Sequence, residues 1–90
     1  MKTVASLTDF TKSADKLDKA FLLLYKSGSE QSDCAVRNLK TALNGHDQLP
    51  VFLADVSEVK DIHPAYHITT VPSLLIFENQ QLVSVIKGCN

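Results

Sequence analysis

Apolar and polar residues change period several times along the chain, and each change marks a predicted element. Residues 2–5 fit a short edge strand. Leu7, Phe10, Ala14 and Leu17 then recur at helical spacing behind Ser6, a favourable N-cap, with Asp9 placed to complement the helix N-terminus. This predicts a helix over about 7–18. Ala20-Phe21-Leu22-Leu23-Leu24-Tyr25 is a continuous apolar run closed by the turn cluster Lys26-Ser27-Gly28-Ser29, as expected of a strand covered on both faces. After a polar stretch, Ala35, Val36, Leu39, Ala42 and Leu43 form one face of a helix over 34–43, with Ser32 or Asp33 as N-cap and Asn44-Gly45 as the stop.

The second half repeats the alternation. Residues 49–56 read as another buried strand, ending near Asp55. Ser57 is a candidate cap for a short helix over 58–66, which Pro64 must kink or restart. Pro72 stands directly before the strongest strand signal, Ser73-Leu74-Leu75-Ile76-Phe77. Proline cannot donate to a sheet ladder and is tolerated at the first residue of a strand, and cis peptide bonds are nearly confined to X-Pro. A turn at 78–80 and a second arm over 81–86 complete a hairpin. The order β-α-β-α-β-α-β-β predicts an α/β fold. A mixed sheet of about five strands carries helices on both faces, with parallel pairing through right-handed crossovers and a final antiparallel edge.

Composition narrows the function classes. Ninety residues make one domain over 1–90, either whole or a piece of a longer chain. With 44% hydrophobic and 21% charged residues the chain belongs with ordinary globular domains. A net charge of −1 gives no electrostatic reason to expect nucleic acid or an anionic membrane as partner. No apolar run approaches the ~20 residues of a bilayer span, and the N-terminus lacks a signal-peptide core, so the expected location is cytoplasmic. Cys34 and Cys89 are too far apart for a Cys-x-x-Cys motif, and in a reducing compartment two free thiols are expected. His46, His63 and His67 lack metal-ligand spacing with the cysteines, and no cofactor-binding or Ser/His/Asp pattern occurs.

Val71-Pro72 before the fourth strand, the Asp that closes the third, and Gly88 just after the fifth, 16 positions beyond Pro72, carry a resemblance to the thioredoxin family over nearly the whole chain. The resemblance implies a thioredoxin-like fold with a cis bond at Pro72. It also implies that the family's last helix, which follows the glycine and covers one sheet face, is missing. That leaves a surface for self-association. The chemistry departs from the family. The Trp-Cys-Gly-Pro-Cys segment between the second strand and second helix is replaced by Ser27-Gly28-Ser29-Glu30-Gln31-Ser32-Asp33-Cys34. Aligned on the strand end, the family's second cysteine falls near Asp33. Aligned on the helix start it falls on Cys34, and the nucleophile's position is then Gln31. The family's buried Asp corresponds to Leu24.

Two readings follow. In the first, the domain works in thiol–disulfide chemistry and redox homeostasis as a monothiol. Cys34 at a helix N-terminus, where free N–H groups favour thiolate, exchanges with protein or peptide thiols and disulfides or with glutathione. Glu30 and Asp33 oppose that ionisation, and Lys26 is the local cation. Cys89, beside Gly88, is the candidate resolving thiol or disulfide partner, against the plainer expectation of an ordinary thiol near a chain end. In the second, the domain is a non-catalytic module. Thr70, Val71, Pro72 and Gly88 hold an extended peptide by strand addition.

Overall fold

A computed structural model describes residues 1–46 and 48–89. Five strands, β1 (Lys2–Thr3), β2 (Lys19–Tyr25), β3 (Val51–Asp55), β4 (Ser73–Glu78) and β5 (Gln81–Lys87), form one sheet in the order β1-β3-β2-β4-β5. The helices are α1 (Leu7–Ala14), α2 (Glu30–Ala42) and α3 (Ile62–Ala65). β1, β3 and β2 run parallel, while β4 is antiparallel to both β2 and β5. Parallel pairing thus stops at β2, short of the extent expected. The physical reason is α3. Four helical residues advance only about 6 Å, too little to carry the chain back along a strand of about 17 Å. The connection from Asp55 to Ser73 therefore stays at one end of the sheet, where β2 ends and Leu24 pairs with Ser73.

Strand alternation divides the side chains between two unequal faces. Ala20, Leu22, Leu24, Phe52, Ala54, Leu75 and Phe77 point towards α1 and α3 and form the core with Phe10, Ala14 and Ile62. Leu22, Leu24, Ile62 and Leu75 are fully buried, each worth roughly 2–3 kcal/mol relative to exposure. Phe10 is the hub of the aromatic packing, with Phe52 at 5.5 Å and Phe77 at 5.1 Å between ring centroids. The opposite face carries only α2. Of the α2 residues only Ser32 is buried, and Ala35, Val36 and Leu39 stay partly exposed. At the sheet edge Val83 and Ile86 are each 53% exposed. A bulge lies opposite Ile76 and Phe77, where β5 supplies an extra residue. Such bulges twist an edge away from flat pairing with another strand.

Several element limits differ from the sequence pattern. α1 ends at Ala14 rather than near 18. The Gln80 side-chain amide Nε2 donates to the Ala14, Asp15 and Leu17 carbonyls at 3.4, 2.8 and 3.2 Å, closing the helix from across the hairpin. Asn79 and Gln80 both have positive φ, as a two-residue turn of primed type requires. Ser57 caps no helix, because its hydroxyl and N–H are both given to Asp55, and α3 begins only at Ile62 after Asp61. Asp61 instead accepts from the Leu7 N–H at 3.0 Å, tying the α3 cap to the start of α1. Ser6 caps α1 through the Asp9 N–H. The third strand is shorter than 49–56, since Pro50 and Leu49 precede its first paired residue. Replacing Gln80 by Ala leaves the α1 end with unpaired carbonyls. We expect a loss of about 1 kcal/mol in urea unfolding, with the fold retained by circular dichroism.

Candidate functional site

α2 begins four residues earlier than the sequence pattern predicts. Ser29 is its N-cap, and the Ser29 Oγ accepts from the Ser32 N–H at 3.4 Å. Neither Ser32 nor Asp33 caps the helix. Ser32 is completely buried in its first turn, where its Oγ accepts from the Lys26 N–H at 2.9 Å. Apolar periodicity missed this turn because Glu30, Gln31, Ser32 and Asp33 carry no hydrophobic residue. The signal that could have found it is Ser29, a favourable N-cap residue, followed by the acidic Glu30 and Asp33 in the first turn.

The shift changes the chemistry of the site. Ser29 and Ser32 have the spacing of a Cys-x-x-Cys pair, Ser29 as the cap of α2 and Ser32 in its first turn. Hydroxyls in these positions hold the helix start together by hydrogen bonds and cannot exchange disulfides. Cys34, in turn, is not at the helix N-terminus but in the second turn, so the helix dipole supplies it little, the effect being confined to the first turn.

The loop leading into α2 is pinned to the end of β3 through Asp55. Its Oδ2 accepts from the Ser27 hydroxyl at 2.5 Å, and its Oδ1 accepts from the Ser57 N–H and hydroxyl at 3.0 and 2.7 Å. These bonds, the one from Ser27 first, lower the Asp55 pKa from the ordinary 3.8 to about 2. Beside it, burial pushes the Tyr25 hydroxyl up, with the charges of Asp55 and Glu58 adding to the effect.

Cys34 and Cys89 are not two free thiols but a disulfide, with Cα atoms 6.1 Å apart. The fold brings them together in a definite way. Leu24 pairs with Ser73 and Ser73 with Lys87, so β4 carries the end of β5 alongside the end of β2. The Gly88 N–H donates to the Pro72 carbonyl at 2.8 Å, which sets Cys89 beside the Val71–Pro72 loop and below α2. The Val71–Pro72 bond is cis. Gly88 has φ +77°, a left-handed value that an L side chain rarely adopts. Pro72 is buried, Val71 half-buried and Thr70 exposed, with the Thr70 carbonyl held by the Ser73 hydroxyl at 2.5 Å. Thr70, Val71, Pro72, Gly88, Cys89 and Cys34 therefore form one continuous region. Both sulfur-bearing residues are half-buried, and Asn38 on α2 donates to Cys89 Sγ at 3.2 Å and to Cys34 Sγ at 3.7 Å. Cys89 closes one end of a groove between α2 and the sheet, lined by Leu23, Ala35, Leu39, Leu74 and Ile86. Among the described residues, no group of three or more His, Cys, Asp or Glu is placed to hold a metal ion, and no helix is long and apolar enough to cross a membrane.

No protein-family model matches the chain, and no curated protein sequence matches it. Solved structures do. Thioredoxin from Plasmodium falciparum superposes with a TM-score of 0.89 at 17% identity, covering 100% of this chain and 88% of that one. Thioredoxin from Fasciola hepatica gives 0.89 at 14% identity, covering 100% and 88%. Oxidised mitochondrial thioredoxin 3 from Saccharomyces cerevisiae gives 0.87 at 21% identity, covering 100% and 85%. The chain has the α/β fold of the thioredoxin-like superfamily.

The Asp55 contacts make an acid-side prediction. A carboxyl whose folded pKa lies below its unfolded value contributes stability at pH above about 4 and loses it as the pH falls towards 2. Replacing Ser27 by Ala removes the largest lowering contribution. The Asp55 carboxyl, followed by NMR, should then titrate closer to 3.8, and the acid-unfolding midpoint should move to higher pH.

Proposed function

We propose that this domain is a thiol–disulfide redox element whose working pair is Cys34 and Cys89. Its partners are protein or peptide thiols and disulfides, or glutathione. The observation that carries this reading is the Cys34–Cys89 disulfide itself, half-buried and set beside the Pro72–Gly88 contact. It replaces the monothiol scheme, because the second sulfur needed to resolve a mixed disulfide is already bonded to the first. A thiolate of the partner attacks one sulfur, forming a new S–S bond while the Cys34–Cys89 bond breaks and the other cysteine leaves as thiolate. A second partner thiolate then attacks the partner's sulfur of the mixed disulfide, forming the partner disulfide as the protein's cysteine leaves as thiolate. The protein ends with two thiols, having taken up two electrons and two protons, and the two partner thiols end as a disulfide. The Thr70-Val71-Pro72 segment supplies the peptide-binding edge in this scheme. In a cytoplasmic setting such a pair cycles rather than persists.

A second reading has its own support. Ser29 and Ser32 stand at the start of α2 without a thiol, which favours a binding module in which the disulfide only fastens α2 to the sheet. A cross-link spanning 55 positions restricts the unfolded chain by roughly 4 kcal/mol on the chain-entropy account. The exposed Val83 and Ile86 are the natural contacts for self-association in that case.

Stopped-flow reduction by a glutathione or protein dithiol separates the two. For an exchanging pair, thiols appear at a rate proportional to reductant concentration while far-UV circular dichroism stays native, and the Cys89→Ser variant, given oxidised glutathione, accumulates a stable mixed disulfide on Cys34 with release of reduced glutathione. Thiols that appear only as the protein unfolds would leave the binding module standing and remove the redox one.

A further inference from the structure

We infer that Asn38 gives the Cys34–Cys89 disulfide a direction: partner thiols attack Cys34, and Cys89 is the sulfur that leaves and later returns. This rests on the exchange reading given above and adds to it the identity of the attacked atom.

The two sulfurs lie in different surroundings. Asn38 stands one turn after Cys34 on α2, and its side-chain amide is 3.2 Å from Cys89 Sγ but 3.7 Å from Cys34 Sγ. An amide N–H aimed at sulfur stabilises a thiolate more than a neutral disulfide sulfur, because hydrogen bonds to charged acceptors are the stronger ones. The nearer sulfur is therefore the better leaving group, and the departing thiol's acidity is one of the quantities that sets exchange rates.

Formal charges point the same way. On α2, Glu30 lies one turn before Cys34 and Asp33 is its immediate neighbour, with Arg37 one turn after it. Among the described residues that line the groove with Cys89 and Asn38, the charged one is Lys87. The β4 start and the preceding loop, Thr70-Val71-Pro72-Ser73, bring no charge. Cys34 thus has two acids and one base within a turn along its helix, whereas Cys89 shares its groove with Lys87 and the Asn38 amide.

The two sulfurs also differ in position. Cys89 lines the groove floored by Leu23, Leu74 and Ile86, while Cys34 is not among the groove's lining residues. Attack on a disulfide runs along the S–S axis. A thiol reaching Cys34 therefore approaches on the side away from Cys89 and its groove.

The step balances as follows. The partner thiolate forms an S–S bond to Cys34 Sγ as the Cys34–Cys89 bond breaks, and the electron pair of that bond goes to Cys89 Sγ, held by the Asn38 N–H. In the reverse direction the Cys89 thiolate attacks the mixed disulfide at Cys34 and expels the partner thiolate. Cys34 is the residue that carries the partner, and Cys89 is the one that resolves it.

The test uses the oxidised 90-residue chain with limiting reduced glutathione, acid quench and peptide mapping by mass spectrometry. Glutathione should be found mainly on Cys34. Asn38→Ala should slow reduction roughly three- to tenfold and move the Cys34-to-Cys89 ratio towards parity, the size expected for one hydrogen bond of ordinary strength, only partly charged in the transition state. Asn38→Asp keeps the shape of the side chain but presents a carboxylate to Cys89, and should slow the reaction further. A merely structural Asn38 would lower stability in both variants without moving the site of glutathionylation. Glutathione mainly on Cys89, or an unchanged ratio in Asn38→Asp, overturns the inference while leaving an exchanging pair in place. A native protein that glutathione does not reduce at all overturns both.

Discussion

β2 is hydrogen-bonded along both edges, parallel to β3 and antiparallel to β4, and the rest of the molecule is positioned from it. Its alternation assigns Ala20, Leu22 and Leu24 to the core and Phe21 and Leu23 to the opposite face. Its end fixes the region of chemical interest. Beyond Tyr25 the chain turns through Ser27, which Asp55 at the end of β3 holds, into the capped start of α2. One register step back, Leu24 pairs with Ser73, directly after Pro72. Helix start and proline loop thus share one end of the sheet because both are tied to the same strand.

The two faces of that sheet do different work. The α1/α3 face is a packed aromatic and aliphatic core, and it accounts for the greater part of the burial. The α2 face is lightly packed: α2 buries only Ser32, and its apolar residues leave a groove against Leu74 and Ile86. Hydrogen bonds at Lys26 and Ser29 fasten one end of α2, and the Cys34–Cys89 bond fastens it further along. The covalent link lies where apolar packing is thin. The hydroxyls of Ser29 and Ser32 hold the start of α2, while the sulfurs of Cys34 and Cys89 lie beyond its first turn.

Much of this was legible in the residues. The continuous apolar run at 20–25 reads as a strand covered on both faces and the run after Pro72 as the strongest strand signal, and the Pro72-to-Gly88 spacing tied the last hairpin to the thioredoxin-like order. Local signals failed where a distant partner decides the outcome. Gln80 ends α1 from across the hairpin, and Asp55 takes the Ser57 groups that would otherwise cap a helix. The early start of α2 was hidden because a helix turn made of Glu30, Gln31, Ser32 and Asp33 has no apolar period, although Ser32 is fully buried. The pairing of Cys34 with Cys89 depends on the β4–β5 register and on the Gly88–Pro72 hydrogen bond, neither of which local sequence encodes. Asn38 carried no signal at all, since its role appears only once α2 is laid over the end of β5.

The proposed redox function requires Cys34 and Cys89 to form one reversible couple within an intact fold. Equilibrating the protein across a series of glutathione buffers, trapping thiols with acid and alkylation, and mapping the peptides tests it directly. The account predicts a linked Cys34–Cys89 peptide at the oxidised end and a single two-electron transition. Both cysteines should become alkylatable together while near-UV circular dichroism remains native. Alkylation of the two cysteines at unrelated potentials, or no linked peptide at the oxidised end, would contradict it.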